Sequence, residues 1–174
     1  MKRFIIADTH FYHDNIAKYC GRPTNHTELL IASLQSIMGE DDILYHLGDV
    51  TFGSQDSLRD ILSGIKGKKV LVRGNHDAWS DTRFMELGFD MVCTAIAVGN
   101  AILTHKPIEV AHFSVNIHGH LHNLGYDDVL SYEEEYRKFG ADGRHILYSP
   151  ELEGYKPVVI EKLVAKFNNR MKGE

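Results

Sequence analysis

Residues 69–77 read KVLVRGNHD. A short aliphatic run meets a turn glycine, then an asparagine, a histidine and an aspartate. Runs of this length rich in Val and Leu suit buried strands. The glycine permits a sharp turn straight after the strand. The polar residues that follow carry oxygen and nitrogen donors. Asn75 is either a metal donor or the cap of a helix. His76 is either a ligand or a proton donor.

The same order recurs along the chain. RFIIA (3–7) runs into Asp8-Thr9-His10, ILYHL (43–47) into Gly48-Asp49, AILT (101–104) into His105, and SVNIH (114–118) into Gly119-His120-Leu121-His122. Five apolar runs thus end in ligand-type side chains. In open α/β sheets, sites form beyond the carboxyl ends of strands.

Helical patterns lie between the runs. HTELLIASLQSIM (26–38) carries apolar residues near helical spacing, with Thr27 placed to cap it. SLRDILSGI (57–65) and DTRFMELG (81–88) read as shorter helices, the second ending at Gly88. MVCTAIAV (91–98), Gly99-Asn100 and AILT read as a hairpin, so part of the sheet is expected to be antiparallel. The tail PVVIEKLVAKF (157–167) reads as a last strand and a helix. Alternating strands and helices give an α/β class. The 174 residues show no repeat or linker and are expected to form one domain, 1–174. The stretch 123–144, acidic and then helix-prone around 131–139, reads as a surface excursion.

The charge balance is 19 Lys and Arg against 24 Asp and Glu, a net −5. That weighs against an extended nucleic-acid surface and leaves a small anionic substrate open. No segment has the run of apolar residues that a membrane span needs. MKRFIIADTH shows no long apolar stretch before Asp8, so no secretory signal is expected. Cys20 and Cys93 lie far apart in no CxxC pattern, which suits a reducing cytoplasm.

Several of the eleven histidines sit beside Asp, Asn or Gly at the ends of apolar runs. In extended backbone, residues i and i+2 point the same way. On that reading Asp8 and His10 share one side, as do His118, His120 and His122. His13 lies just past the first block and is either a substrate contact or a surface residue. His46, His118 and His145 sit within strand-like runs and are read as structural or as supports behind the ligands.

The ordered set Asp8-x-His10, Gly48-Asp49, Gly74-Asn75-His76-Asp77, His105 and Gly119-His120-x-His122 resembles the calcineurin-like metallophosphoesterase superfamily. DTHFYH, YHLGDV and YSPELEGYKPV look like a small single-domain bacterial or phage branch of it. The resemblance implies a four-layer α-β-β-α sandwich of two mixed sheets. It implies one metal held by Asp8, His10, Asp49 and His122, and a second held by Asn75, His105 and His120 with Asp49 bridging. Oxygen and nitrogen donors suit Mn²⁺ first, with Fe, Zn²⁺ or Ni²⁺ as alternatives. The implied chemistry is hydrolysis of a phosphoester, with a hydroxide between two cations attacking phosphorus in line. His76 matches the general acid. Asp77 beside it and Arg73, either a phosphate contact or a solvated arginine, complete the catalytic set.

Phosphoprotein-phosphatase members carry an aspartate three residues after the Gly-Asp aspartate, then an arginine. Here Phe52 and Gly53 stand there. The expected substrate is therefore a small phosphodiester or nucleotide. A phosphomonoesterase or phosphoprotein phosphatase, or a non-catalytic metal-binding scaffold on the same fold, is the alternative. The excursion 123–144, directly after His122, is expected to border the pocket.

Overall fold

The computed structural model describes residues 1–125, 131–141 and 143–172, with backbone alone at 131–133, 141, 167 and 170–172. The chain runs β1 (Arg3–Ile6), α1 (Asp14–Cys20), α2 (His26–Ile37), β2 (Ile43–His46), α3 (Gln55–Ser63), β3 (Lys68–Val72), α4 (Asp81–Leu87), β4 (Met91–Cys93), β5 (Ala95–Val98), β6 (Ala101–Thr104), β7 (Val115–His118), α5 (Arg137–Ala141), β8 (His145–Leu147), β9 (Val158–Val159) and α6 (Ile160–Lys172). A 3₁₀ segment, Ser131–Tyr136, leads into α5.

The strands form two mixed sheets. One has the order β4-β3-β2-β1-β9, parallel except for β9. The other has the order β5-β6-β7-β8, with β5 antiparallel to β6 and the rest parallel. A single hydrophobic cluster takes Ile5, Leu44 and Leu71 from the first sheet and Leu103, Ile117 and Ile146 from the second. The parallel strands β1, β2 and β3, together with β6 and β7, all lead directly into the loaded segments.

The expected hairpin is half right. MVCTAIAV breaks at Thr94. Residues 91–93 pair in parallel with β3, while 95–98 pair antiparallel with β6 in the other sheet. Apolar content alone cannot register a strand that changes sheets. Helix α1 has no counterpart in the sequence reading, because Ile16 and Cys20 are its only buried residues. Thr27 does not cap α2. Asn25 takes that position, and the buried Thr27 hydroxyl accepts the Tyr12 N–H at 3.0 Å. Ser54 and Ser80 accept hydrogen bonds from Ser57 and Arg83 as the N-caps of α3 and α4, and Gly88 ends α4 at φ 127°. Residues 126–130 and 142 of the excursion lie outside the described residues.

Among the described residues, no helix is long and apolar enough to cross a membrane.

Candidate metal centre

Pairing between β1 and β2 continues past both strand ends. Leu47 N–H donates to Ile6 O at 2.7 Å, and Asp8 N–H to Gly48 O at 3.0 Å. His10 and Phe11 donate to Asp49 O and Val50 O, each at 3.0 Å. The two loaded loops therefore advance side by side, bringing Asp8 and His10 toward Asp49.

The loops are not extended. Asp8, His10, Asp49, His120 and His122 all have positive φ, between 44° and 72°. They make up five of the seven non-glycine residues in that region among the described residues. Each such conformation costs about 1–3 kcal/mol and persists only where its surroundings impose it. Strand alternation therefore does not bring these donors together. Strands β1 and β7 stop at Ile6 and His118, and the donors converge from left-handed turns. His118 is fully buried, with its Nδ1 2.8 Å from Gly119 O, and stands apart from the two site histidines that follow it.

Three groups of possible ligand atoms result: two at the loaded loops, and a third of Cys20, His122 and Glu151 that shares His122 with the first. Ligand atoms of Asp8, His10 and His122 all lie within 4.8 Å of one another, and so do those of Asp49, His105 and His120. Asp49 Oδ2 lies 3.7 Å from His10 Nε2 and 3.5 Å from His105 Nε2, so one carboxylate stands between these two groups. Asn75 Oδ1 is 2.9 Å from His105 Nε2.

The donor atoms fit a cation better than they fit each other. Asp8 Oδ1 and both ring nitrogens of His10 are buried with no hydrogen-bond partner among the described residues. A buried polar atom left unpaired costs about 1–3 kcal/mol. His105 Nδ1 lies 2.8 Å from Leu47 O, which turns Nε2 toward Asn75 Oδ1 and Asp49 Oδ2. Electron-rich atoms that converge in this way call for a positive charge between them. Hard O and N donors suit a first-row divalent ion.

The protonation states agree. Burial, with His105 and Lys106 adding to it, holds His120 down at about 2. Burial and the neighbouring cations also push His10 far down. Both rings stay neutral and keep a lone pair to ligate with. Burial raises Asp8 to about 6, against the pull of His122 and His105. His122 is the exception. Burial lowers it, but Cys20, Glu151 and Asp8 outweigh that and lift it to about 10.

Two glycines are required by close approach. A Cβ on Gly74 would sit 2.1 Å from Asp49 Oδ1, and one on Gly119 would sit 2.3 Å from Asp8 Oδ2. The carboxylates pack against bare backbone there, and Asp8 Oδ2 accepts the His120 N–H at 2.8 Å.

A layer of polar residues braces the donors. Arg22, buried, donates to Asp8 O at 2.7 Å, to Thr9 O at 3.0 Å and to Glu151 Oε1 at 2.7 Å. Glu151 in turn lies 3.6 Å from His122 Nδ1. The Thr9 hydroxyl donates to Val50 O, so it accepts from His46 Nε2–H at 2.9 Å, and His46 Nδ1 accepts the Gly48 N–H. Sequence reasoning missed Arg22, Thr9 and Glu151. Glu151 lies in the YSPELEGYKPV stretch, but nothing local in these residues says that they meet Asp8.

The other residues singled out from sequence fall as follows. His76 is exposed, its ring 5.8 Å from that of His10, and its N–H donates to Asp49 Oδ1 at 2.9 Å. Asp77 does not face His76. Its carboxylate accepts the N–H groups of Asp49 (3.0 Å), Val50 (3.0 Å) and Gly74 (2.7 Å). Arg73 is committed to Asp81 at 2.7 Å and to the Asp77 carbonyl. His13 stacks on Phe52 at 4.0 Å, beside His10. From the excursion, the Tyr136 ring stands edge-on to His120 at 6.0 Å. A cavity of about 570 Å³ opens beside Asn75, His105, Lys106 and Arg73.

No family model matches the chain. The chain is 30% identical over 174 residues to "Uncharacterized protein MJ1445" of Methanocaldococcus jannaschii, covering 94% of this chain and 89% of that protein. The solved protein of unknown function AQ665 from Aquifex aeolicus superposes with a TM-score of 0.72 at 25% identity, covering 95% of this chain and 98% of that one. Nuclease MPE from Pseudomonas putida matches with a TM-score of 0.51 at 25% identity, over 69% of this chain and 61% of that one.

Proposed function

The chain belongs to the family of the Methanocaldococcus jannaschii protein MJ1445, and from that footing we propose that it is a dinuclear-metal phosphodiesterase of the calcineurin-like metallophosphoesterase superfamily. On this reading the two sheets and their helices form the superfamily's four-layer sandwich as one domain. The observation that carries the proposal is the pair of donor groups with Asp49 standing between them. The partial likeness to a solved nuclease supports phosphodiester chemistry.

Asp8, His10, Asp49 and His122 would hold one divalent ion, and Asn75, His105, His120 and Asp49 the other, with Mn²⁺ the first choice. Such a pair supplies Lewis acidity toward a phosphoryl oxygen and lowers the pKa of an attacking water.

The chain's own residues do the rest. Asp49 offsets the repulsion between two cations. His76, exposed at the rim of the first group, donates a proton to the leaving oxygen. Asp77 fixes the Asp49 and Gly74 turns through three amides and acts as a positioning residue. Arg73 ties the His76 turn to α4 and acts in the same way. The Arg22 guanidinium holds the carbonyls of Asp8 and Thr9, which keeps the strained first loop in place. The substrate is a small phosphodiester or nucleotide, since Phe52 replaces the acid expected of a phosphoprotein phosphatase. Two free cysteines, Cys20 and Cys93, suit the cytoplasm.

The test is release of p-nitrophenol from bis-p-nitrophenyl phosphate by chelator-stripped protein, before and after Mn²⁺ is restored. Turnover that depends on Mn²⁺ is expected. No turnover with any divalent ion, in protein that binds the ion, would replace the enzyme reading with a metal-binding scaffold.

A further inference from the structure

Beside the first donor group lies a surface of aromatic rings to which the hydrolytic reading gives no task. Phe52 is 47% exposed, although its ring touches His13, His10 and His76. Its centroid is 4.0 Å from that of His13 with the planes 18° apart, and 5.5 Å from that of His76. Tyr12 is also 47% exposed, and Tyr19 is 69% exposed with its ring edge-on to His13. Rings so open to water at the mouth of a polar site give up burial that a core position would provide.

The surface is held rigidly. Phe52 N–H donates to Phe11 O at 2.9 Å, the Thr51 hydroxyl donates to the same carbonyl at 3.2 Å, and Gly53 N–H donates to Thr51 Oγ1 at 2.9 Å. Tyr12 sits at φ 62°. A Cβ on Gly53 would lie 2.5 Å from Tyr12 Cδ2, so the two loops interlock. A cavity of about 220 Å³ opens between Phe52, His76 and Trp79.

We propose that Phe52, backed on one face by His13 and flanked by Tyr12, is a stacking platform for a nucleobase of the substrate. The reading rests on the phosphodiesterase assignment above for the seat of the phosphate. Phe52 lies 5.4 Å from His10, a metal ligand on that reading, and 5.5 Å from His76, the proton donor, so the phosphate of a base held there faces the first donor group. Three exposed rings are far too small for a protein interface. They match one or two bases, whose stacking on aromatic side chains tolerates any base because each has a π-face. Selection is therefore for base-bearing phosphodiesters in general.

The experiment compares the affinity of the full chain for adenosine 5′-monophosphate and for ribose 5-phosphate by calorimetry, both Mn²⁺-loaded and chelator-stripped. The wild type is expected to favour the base-bearing ligand by about 10-fold in both states. Phe52→Leu, which keeps an apolar side chain, is expected to erase that preference, and Phe52→Trp to retain it. Equal affinities in the wild type, or a preference unchanged in Phe52→Leu, would overturn the platform. Absence of turnover with the base preference intact would remove the phosphodiesterase reading and leave the platform standing.

Discussion

The Asp77 carboxylate accepts the backbone N–H of Asp49 at 3.0 Å, so the residue between the two donor groups is held from behind by the last residue of the RGNHD turn. Asp77 also takes the amides of Val50 and Gly74, which locks the two turns together. Asp77→Ala leaves three inward-facing N–H groups without an acceptor. A loss of about 3–5 kcal/mol is expected in urea melts, with weaker metal binding. A variant with unchanged stability would show that the brace is dispensable.

Arg22 and Glu151 form a buried ion pair at 2.7 Å. Burial raises the Glu151 carboxyl, but His122, Arg22 and Ser149 overcome it and hold it at about 2. Arg22→Met leaves that charge to His122 and Ser149 alone and frees the carbonyls of Asp8 and Thr9. Breaking a buried pair from one side costs about 3–5 kcal/mol. A clear drop in Tm is expected, together with reduced metal affinity at the Asp8 group. An unchanged Tm would remove Arg22 from the brace.

Acid should unfold this protein early. Burial holds His46 at about 4, despite Asp77, and His118 at about 3, each below the ordinary 6.5. The folded pKa is lowered, so the unfolded chain binds protons first as pH falls. The stability these rings contribute is whole above pH 6.5 and is lost progressively down to pH 3–4. At about 1.4 kcal/mol per pH unit these shifts correspond to about 3 kcal/mol for His46 and about 5 kcal/mol for His118 across that window. Asp8 runs the other way, because its raised pKa favours the metal-free fold below pH 6. With one carboxyl against two deeply buried imidazoles, Tm is expected to fall between pH 7 and pH 5. A flat or rising Tm would contradict it.

His76→Ala is expected to lower kcat by about 10²–10⁴. The imidazole is exposed and ligates neither group, so bound metal should stay at the wild-type level. Loss of metal in this variant would make His76 a ligand, and full activity would remove it as the acid.

The α/β class and the strands that lead into the two donor groups were legible, because each of those strands announced itself as an aliphatic run with polar residues just beyond it. The geometry of the loops was not. Asp8 and His10 are brought to one place by left-handed turns, and positive φ leaves no mark on an aspartate or histidine. The chain passes from one sheet to the other at Thr94, inside a run that reads as one strand, because apolar content reports burial and not pairing. Arg22 and Glu151 are 129 residues apart, and only the folded chain makes them partners. The sequence singled out Asp77 but not as a brace, since adjacency to His76 said nothing of where its carboxylate turns.

The most direct measurement is the number of divalent ions bound per chain, by equilibrium dialysis of chelator-stripped protein against Mn²⁺. Two ions per wild-type chain are expected, with Asp49→Ala losing tight binding at both positions. A single ion, or two ions that remain tightly bound in Asp49→Ala, would contradict a paired centre shared through Asp49.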